Sequence, residues 1–139
     1  MVHNTKLGSG LNMVTLEHVG ICSLDTRKLK DWYVNLFSFR IVYDNQKEMP
    51  TYFLAMEDNS MLEIYPAETD AKTTDNKYRG IRHLAFGTDQ IEEAYQKLLD
   101  HQVEIIEPLK ANDKGVKTVF FRDLEGNIIH FIQRPKSLV

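Results

Sequence analysis

Leu16-Glu17-His18-Val19-Gly20-Ile21 and Ile81-Arg82-His83-Leu84-Ala85-Phe86 share one design, and their reading decides the fold. In an extended strand successive side chains point to opposite faces. His18 therefore shares a face with Leu16, Gly20 and Cys22, while Val19 and Ile21 oppose it. His83 shares its face with Ala85 and Gly87, while Leu84 and Phe86 oppose it. Each stretch puts a histidine and small residues on an open face and large apolar residues on a packing face. A second pair repeats the pattern. Met61-Leu62-Glu63-Ile64-Tyr65 places Leu62 and Ile64 behind the Glu63 carboxylate, and Ile128-Ile129-His130-Phe131-Ile132 places Ile129 and Phe131 behind the His130 imidazole. His83 lies 65 residues after His18, and His130 lies 67 after Glu63. A nearly constant offset is the signature of a duplicated unit.

The segments between these strands repeat as well. After the His18 strand, Asp25 or Thr26 is placed to cap a helix whose apolar stripe is Leu29, Trp32, Tyr33 and Leu36. Short strands over Arg40–Tyr43 and Thr51–Met56 lead through the Asp58-Asn59-Ser60 turn to the Glu63 strand. In the second unit Asp89 is the expected cap of a helix facing inward through Ile91, Ala94, Tyr95, Leu98 and Leu99. Strands over Val103–Ile106, ended near Pro108, and Lys117–Arg122 follow, and Asp123-Leu124-Glu125-Gly126-Asn127 turns into the His130 strand. The expected order is β-α-β-β-β twice: an α+β fold with modules over 14–66 and 80–134 and a polar linker over 67–79. Residues 1–13 read as a mobile arm, and 14–139 as one domain. Joined, the modules are expected to make an open eight-stranded cup with the helices on its convex side.

His18, Glu63, His83 and His130 all fall on the open faces, and imidazole and carboxylate are good ligands for a divalent transition metal. A carboxylate facing a cavity costs desolvation unless a metal or donor pairs with it. The expectation is one shared metal site; the alternative is a polar pocket that binds no metal. Cys22 on the His18 face reads as a small buried wall residue. Tyr65 reads either as a lining of the pocket mouth or as a packing residue. Trp32 and Tyr33 read as helix core, His3 and His101 as solvated, and Arg122 and Asp123 as fixing their turn.

Composition narrows the partners. The 139 residues carry a formal net charge of −3, and their Lys and Arg are scattered, which argues against nucleic acid. No apolar run approaches the length that spans a bilayer. A single cysteine rules out an internal disulfide framework and fits a reducing cytoplasm.

These motifs resemble the vicinal oxygen chelate superfamily, which includes glyoxalase I, methylmalonyl-CoA epimerase, extradiol dioxygenases and fosfomycin- and bleomycin-resistance proteins. The resemblance runs from about Leu16 to Arg134. It rests on the two histidine strands, on Trp32-Tyr33 with Leu36-Phe37-Ser38-Phe39 (Ser38 standing where glycine is usual), and on Phe121 to His130. It implies that His18, Glu63, His83 and His130 occupy the metal-binding strand positions. His130 departs from the glutamate usual in glyoxalase I-like and dioxygenase-like members, and no pattern marks a glutathione site. The resemblance further implies a homodimer, with the site built within one chain or by modules exchanged between two. The leading functional expectation is a metal-dependent glyoxalase-type lyase or isomerase acting on a small oxygen-chelating substrate. Nickel, cobalt, zinc, manganese or iron is the cofactor, acting as Lewis acid, and Glu63 moves the proton. The alternatives are an iron-dependent ring-cleaving dioxygenase and a non-catalytic protein that binds a small toxic compound.

Overall fold

The computed structural model describes residues 14–71, 77 and 79–139. The expected arm and six positions of the expected linker (72–76 and 78) lie outside the described residues. The elements run β1 (His18–Ser23), α1 (Thr26–Phe37), β2 (Arg40–Asp44), β3 (Tyr52–Ala55), β4 (Met61–Pro66), β5 (His83–Gly87), α2 (Ile91–Asp100), β6 (Ile105–Ala111), β7 (Lys117–Arg122) and β8 (Ile128–Gln133). This is the expected βαβββ order, twice. The strands form two hydrogen-bonded sheets of four, ordered β1-β4-β3-β2 and β5-β8-β7-β6. In each sheet the first strand runs parallel to the last of its module and the remaining pairs are antiparallel. The duplication extends to register. Gly20 pairs with Glu63 as Ala85 pairs with His130, and Phe53 pairs with Glu63 as Phe120 pairs with His130.

The β3–β4 and β7–β8 turns also match. Met56 N–H donates to Ser60 and Asn59 N–H to Met56; Asp123 N–H donates to Asn127 and Gly126 N–H to Asp123. Asn59 and Gly126 sit at the same place in the two turns with φ of 66° and 83°. That backbone is open to glycine and tolerated by asparagine.

Alternation decides which face is buried. Ile21, Leu62 and Ile64 are at most 7% exposed, and Ile129 and Phe131 are as deeply buried. Asp25 caps α1, its carboxylate accepting the Lys28 N–H at 3.1 Å. Leu29, Tyr33 and Leu36 are buried along the predicted stripe, each worth about 1.5–3 kcal/mol of burial. Helix α1 serves both modules. Trp32 and Phe37 pack against both apolar clusters, as do Leu84 and Phe86 of β5, and the Phe37 ring lies 5.2 Å from that of Phe131. Two polar contacts cross the same seam. Tyr33 Oη donates to Asp123 Oδ2 at 2.6 Å in the interior. Ser23 Oγ donates to Glu125 Oε1 at 2.6 Å.

The structure corrects several local expectations. Asp89 does not cap α2. Gln90 holds that position without a side-chain bond, and the orphan Ile91 N–H is satisfied instead by Gln133 Oε1 at 2.9 Å. A partner 42 residues away replaces a local cap, which no nearby residue signals. Leu99 is 43% exposed rather than inward. Strand β6 does not end before Pro108 but runs through it to Ala111, with irregular register between Glu107 and Lys110. An edge strand has an outward row of amides that needs no partner, so proline costs it little.

Ser38 ends α1 in the left-handed region, at φ 56° and ψ 31°, with its N–H bonded to the Val34 carbonyl. A Cβ is strained there. Ser38→Gly is expected to raise stability by about 0.5–1 kcal/mol, read as a higher urea midpoint with an unchanged slope. Tyr33→Phe removes a buried hydrogen bond at constant shape and is expected to lower stability by about 1–3 kcal/mol in the same measurement.

Candidate metal-binding half-sites

The four candidate ligands are brought together as two pairs, one in each sheet. On the first, His18 Nε2 lies 3.6 Å from Glu63 Oε1. On the second, the His83 and His130 rings stand edge to face with centroids 5.0 Å apart. The parallel pairing of β1 with β4, and of β5 with β8, creates this proximity: His18 and His83 each sit two residues before the partner of the Glu63 or His130 position. Among the described residues, no three His, Cys, Asp or Glu side chains of one chain are grouped so as to hold a metal ion.

Each pair has an aromatic wall supplied by the equivalent position of the neighbouring strand. The Phe53 ring meets His18 edge to face at 5.3 Å. Phe120 stacks on His130 at 4.3 Å with 12° between planes. Gly20 keeps space beside Glu63, since a Cβ there would lie 3.0 Å from Tyr65 Cε1 and 3.5 Å from Glu63 Oε1. Tyr65 lies on the same face, against Cys22, and that contact pushes the phenol pKa above its ordinary value. Cys22 is exposed, not the buried wall residue expected. His101 is exposed at the end of α2, where its ring Nδ1 lies 2.9 Å from the Lys97 carbonyl oxygen.

The donor chemistry suits a divalent metal. His18 Nδ1 lies 2.7 Å from Glu17 Oε1, which turns Nε2 toward Glu63. His130 is 7% exposed, and its Nδ1 is buried without a hydrogen-bond partner, a costly state for a polar atom in the absence of a ligand. Burial, and then the nearby His83, holds its pKa below the ordinary histidine value, which favours the neutral ring that ligates metals. Imidazoles and carboxylate are ligands shared by zinc, nickel, cobalt, manganese and iron sites.

A groove of about 990 Å³ at the seam between the modules is lined by His18 and His83 together with apolar side chains including Phe37, Phe39, Leu84 and Phe86. Neither Glu63 nor His130 lines it, so the groove and the full donor set do not coincide in one chain. Among the described residues no helix is long and apolar enough to cross a membrane.

With the fold and the paired donors in view, the comparisons with known proteins converge. The sequence signature of the Glyoxalase/Bleomycin resistance protein/Dioxygenase superfamily matches residues 15–131. The chain belongs to that superfamily. It is 25% identical over 114 residues to the uncharacterized protein YwkD of Bacillus subtilis (strain 168), covering 78% of this chain and 88% of that one. A glyoxalase family protein from Enterococcus faecalis is 28% identical, with a TM-score of 0.71 over 85% of this chain and 96% of its own. A glyoxalase/dioxygenase from Nostoc punctiforme has the same fold at 16% identity, with a TM-score of 0.76 over 94% of this chain and all of its own (100%).

The lowered pKa of His130 has a measurable consequence for the metal-free protein. Between the ordinary value of 6.5 and the lower folded value the unfolded chain binds more protons, so folding stability falls as pH drops through that window. Urea midpoints between pH 7.5 and 5 should decline, and His130→Gln should flatten the decline.

Proposed function

We propose that this protein is a metal-dependent enzyme of the glyoxalase type, a lyase or isomerase for a small substrate carrying two neighbouring oxygens. One observation carries the reading: two donor pairs at repeat-related positions, each incomplete alone and each beside a phenylalanine ring. Two donors hold a divalent ion weakly, whereas His18 and Glu63 from one copy with His83 and His130 from another make a four-donor set. A homodimer with modules apposed across its interface supplies that set twice. A metal bound there supplies Lewis acidity toward the substrate's oxygens and lowers the pKa of a neighbouring C–H.

Glu63 is the only carboxylate of the four, and it accepts and returns the substrate proton. Its carboxylate is partly exposed, at 27%, and Gly20 leaves space beside it, so it has room to move between ligand and base. His18 stays pinned by Phe53 and Glu17. Phe53 and Phe120 each give one donor pair an apolar neighbour. With His130 in the position where glutamate is usual, the donor set carries one negative charge fewer, which strengthens Lewis acidity and leaves Glu63 without a second carboxylate to share its task. The single cysteine is in keeping with a reducing cytoplasmic setting.

Mixing two inactive variants tests both the metal and its sharing. His18→Ala and His83→Ala homodimers should each lose tight metal. Mixed dimers of the two should recover one intact site per dimer, read as about half the parent's metal content in isolated mixed dimers. No recovery in verified mixed dimers sinks the shared site. Full metal retention in a variant carrying both substitutions sinks the donor assignment. Glu63→Gln should keep measurable metal and lose substrate-proton exchange in deuterium oxide. Iron as the ion held natively, with oxygen consumption on catechol probes, would favour ring cleavage instead.

A further inference from the structure

We propose that Glu17 is a positioning residue: it sets the tautomer of His18 and thereby the metal affinity of the first half-site. This rests on the metal reading above and adds a residue to it. A neutral imidazole has one nitrogen with a proton and one with a lone pair, and the hydrogen bond made by one nitrogen decides which is which. Glu17 Oε1 lies 2.7 Å from His18 Nδ1, and an ionised carboxylate is only an acceptor. The proton must therefore sit on Nδ1, and the lone pair on Nε2. Nε2 is the atom that faces Glu63, 3.6 Å from Oε1. The opposite tautomer would set a lone pair against the Glu17 carboxylate and block Nε2 with hydrogen.

Two features make the arrangement specific. The His18 ring is held on a second side by Phe53, edge to face at 5.3 Å, so the ring plane and the tautomer are restrained together. The position also breaks the internal symmetry. The residue before His83 is Arg82, a cation with no acceptor atom. The acceptor that Glu17 offers to His18 therefore has no counterpart at the equivalent sequence position of the second module. Outer carboxylates of this kind raise ligand basicity and typically change metal affinity by about 10–100-fold. The Glu17 side chain is 72% exposed, so its removal should leave the fold intact.

The experiment reads the tautomer directly. Ring-nitrogen NMR of ¹⁵N-histidine-labelled, metal-free protein, at a pH where His18 is neutral, should show His18 as Nδ1–H in the parent and shifted toward Nε2–H in Glu17→Ala. Glu17→Asp should restore part of the parent signal. Zinc affinity by chelator competition should fall about 10–100-fold in Glu17→Ala and recover partly in Glu17→Asp, with unchanged thermal stability of the metal-free proteins. An unchanged tautomer, or unchanged zinc affinity, in Glu17→Ala overturns the inference while leaving the metal reading standing. A parent that takes up neither zinc nor nickel overturns both. Loss of thermal stability alongside loss of affinity, without a tautomer change, also overturns it, because Glu17 then acts on the fold.

Discussion

A buried phenol–carboxylate hydrogen bond, Tyr33 to Asp123, is the contact on which the rest of this architecture turns. Burial pushes the Asp123 carboxyl above its ordinary pKa, and hydrogen bonds from Tyr33, Asn127 and Glu125 oppose that push. Burial and the neighbouring carboxylate also hold the Tyr33 phenol well above its ordinary value, so it stays a donor. One carboxylate closes the β7–β8 turn through the Glu125 and Asn127 amides and takes its last donor from the helix of the other module. A buried carboxylate without those donors would cost several kcal/mol. The two modules are therefore held in one relative placement by a group that no other placement satisfies. The apolar surface of Trp32, Phe37, Leu84 and Phe86, shared between the two cores, adds the non-directional attraction that makes the contact close.

That placement has a consequence for the chemistry. It packs α1 against both modules, so the open faces of the two sheets are not closed over one another within the described chain. The donors are left as a carboxylate–imidazole pair and an imidazole–imidazole pair, each with one phenylalanine beside it. Their local charges differ. Glu17 precedes His18 whereas Arg82 precedes His83, and the first pair contains the Glu63 carboxylate whereas the second consists of two imidazoles. The duplication is thus faithful in backbone and unequal in electrostatics.

Much of this was legible from residue order. Period-two alternation named the packing faces of β1 and β4, but not of β8, where His130 and Ile128 are buried as well as Ile129 and Phe131. Spacing of three and four named the buried stripe of α1, and the 65- and 67-residue offsets named the repeat. Asp25 as cap was legible because its bond to Lys28 is local. The misses turn on tertiary surroundings that local signals do not carry. Gln133 serves the start of α2 in place of Asp89. The free edge of β6 lets the strand run through Pro108. Cys22, small and apolar by type, is exposed.

The sequence by itself determined the two βαβββ modules and singled out His18, Glu63, His83 and His130 as repeat-related strand positions, because these follow from short-range periodicity and from turns with defined backbone requirements. Only the tertiary structure decided that the donors meet as pairs and that α1 bridges the modules. It alone revealed Glu17 against His18 Nδ1 and an orphaned Nδ1 on His130. Those outcomes depend on distances between atoms far apart in the chain, and on which polar groups find partners once water is removed. Neither quantity is carried by the order of residues within a single strand or helix.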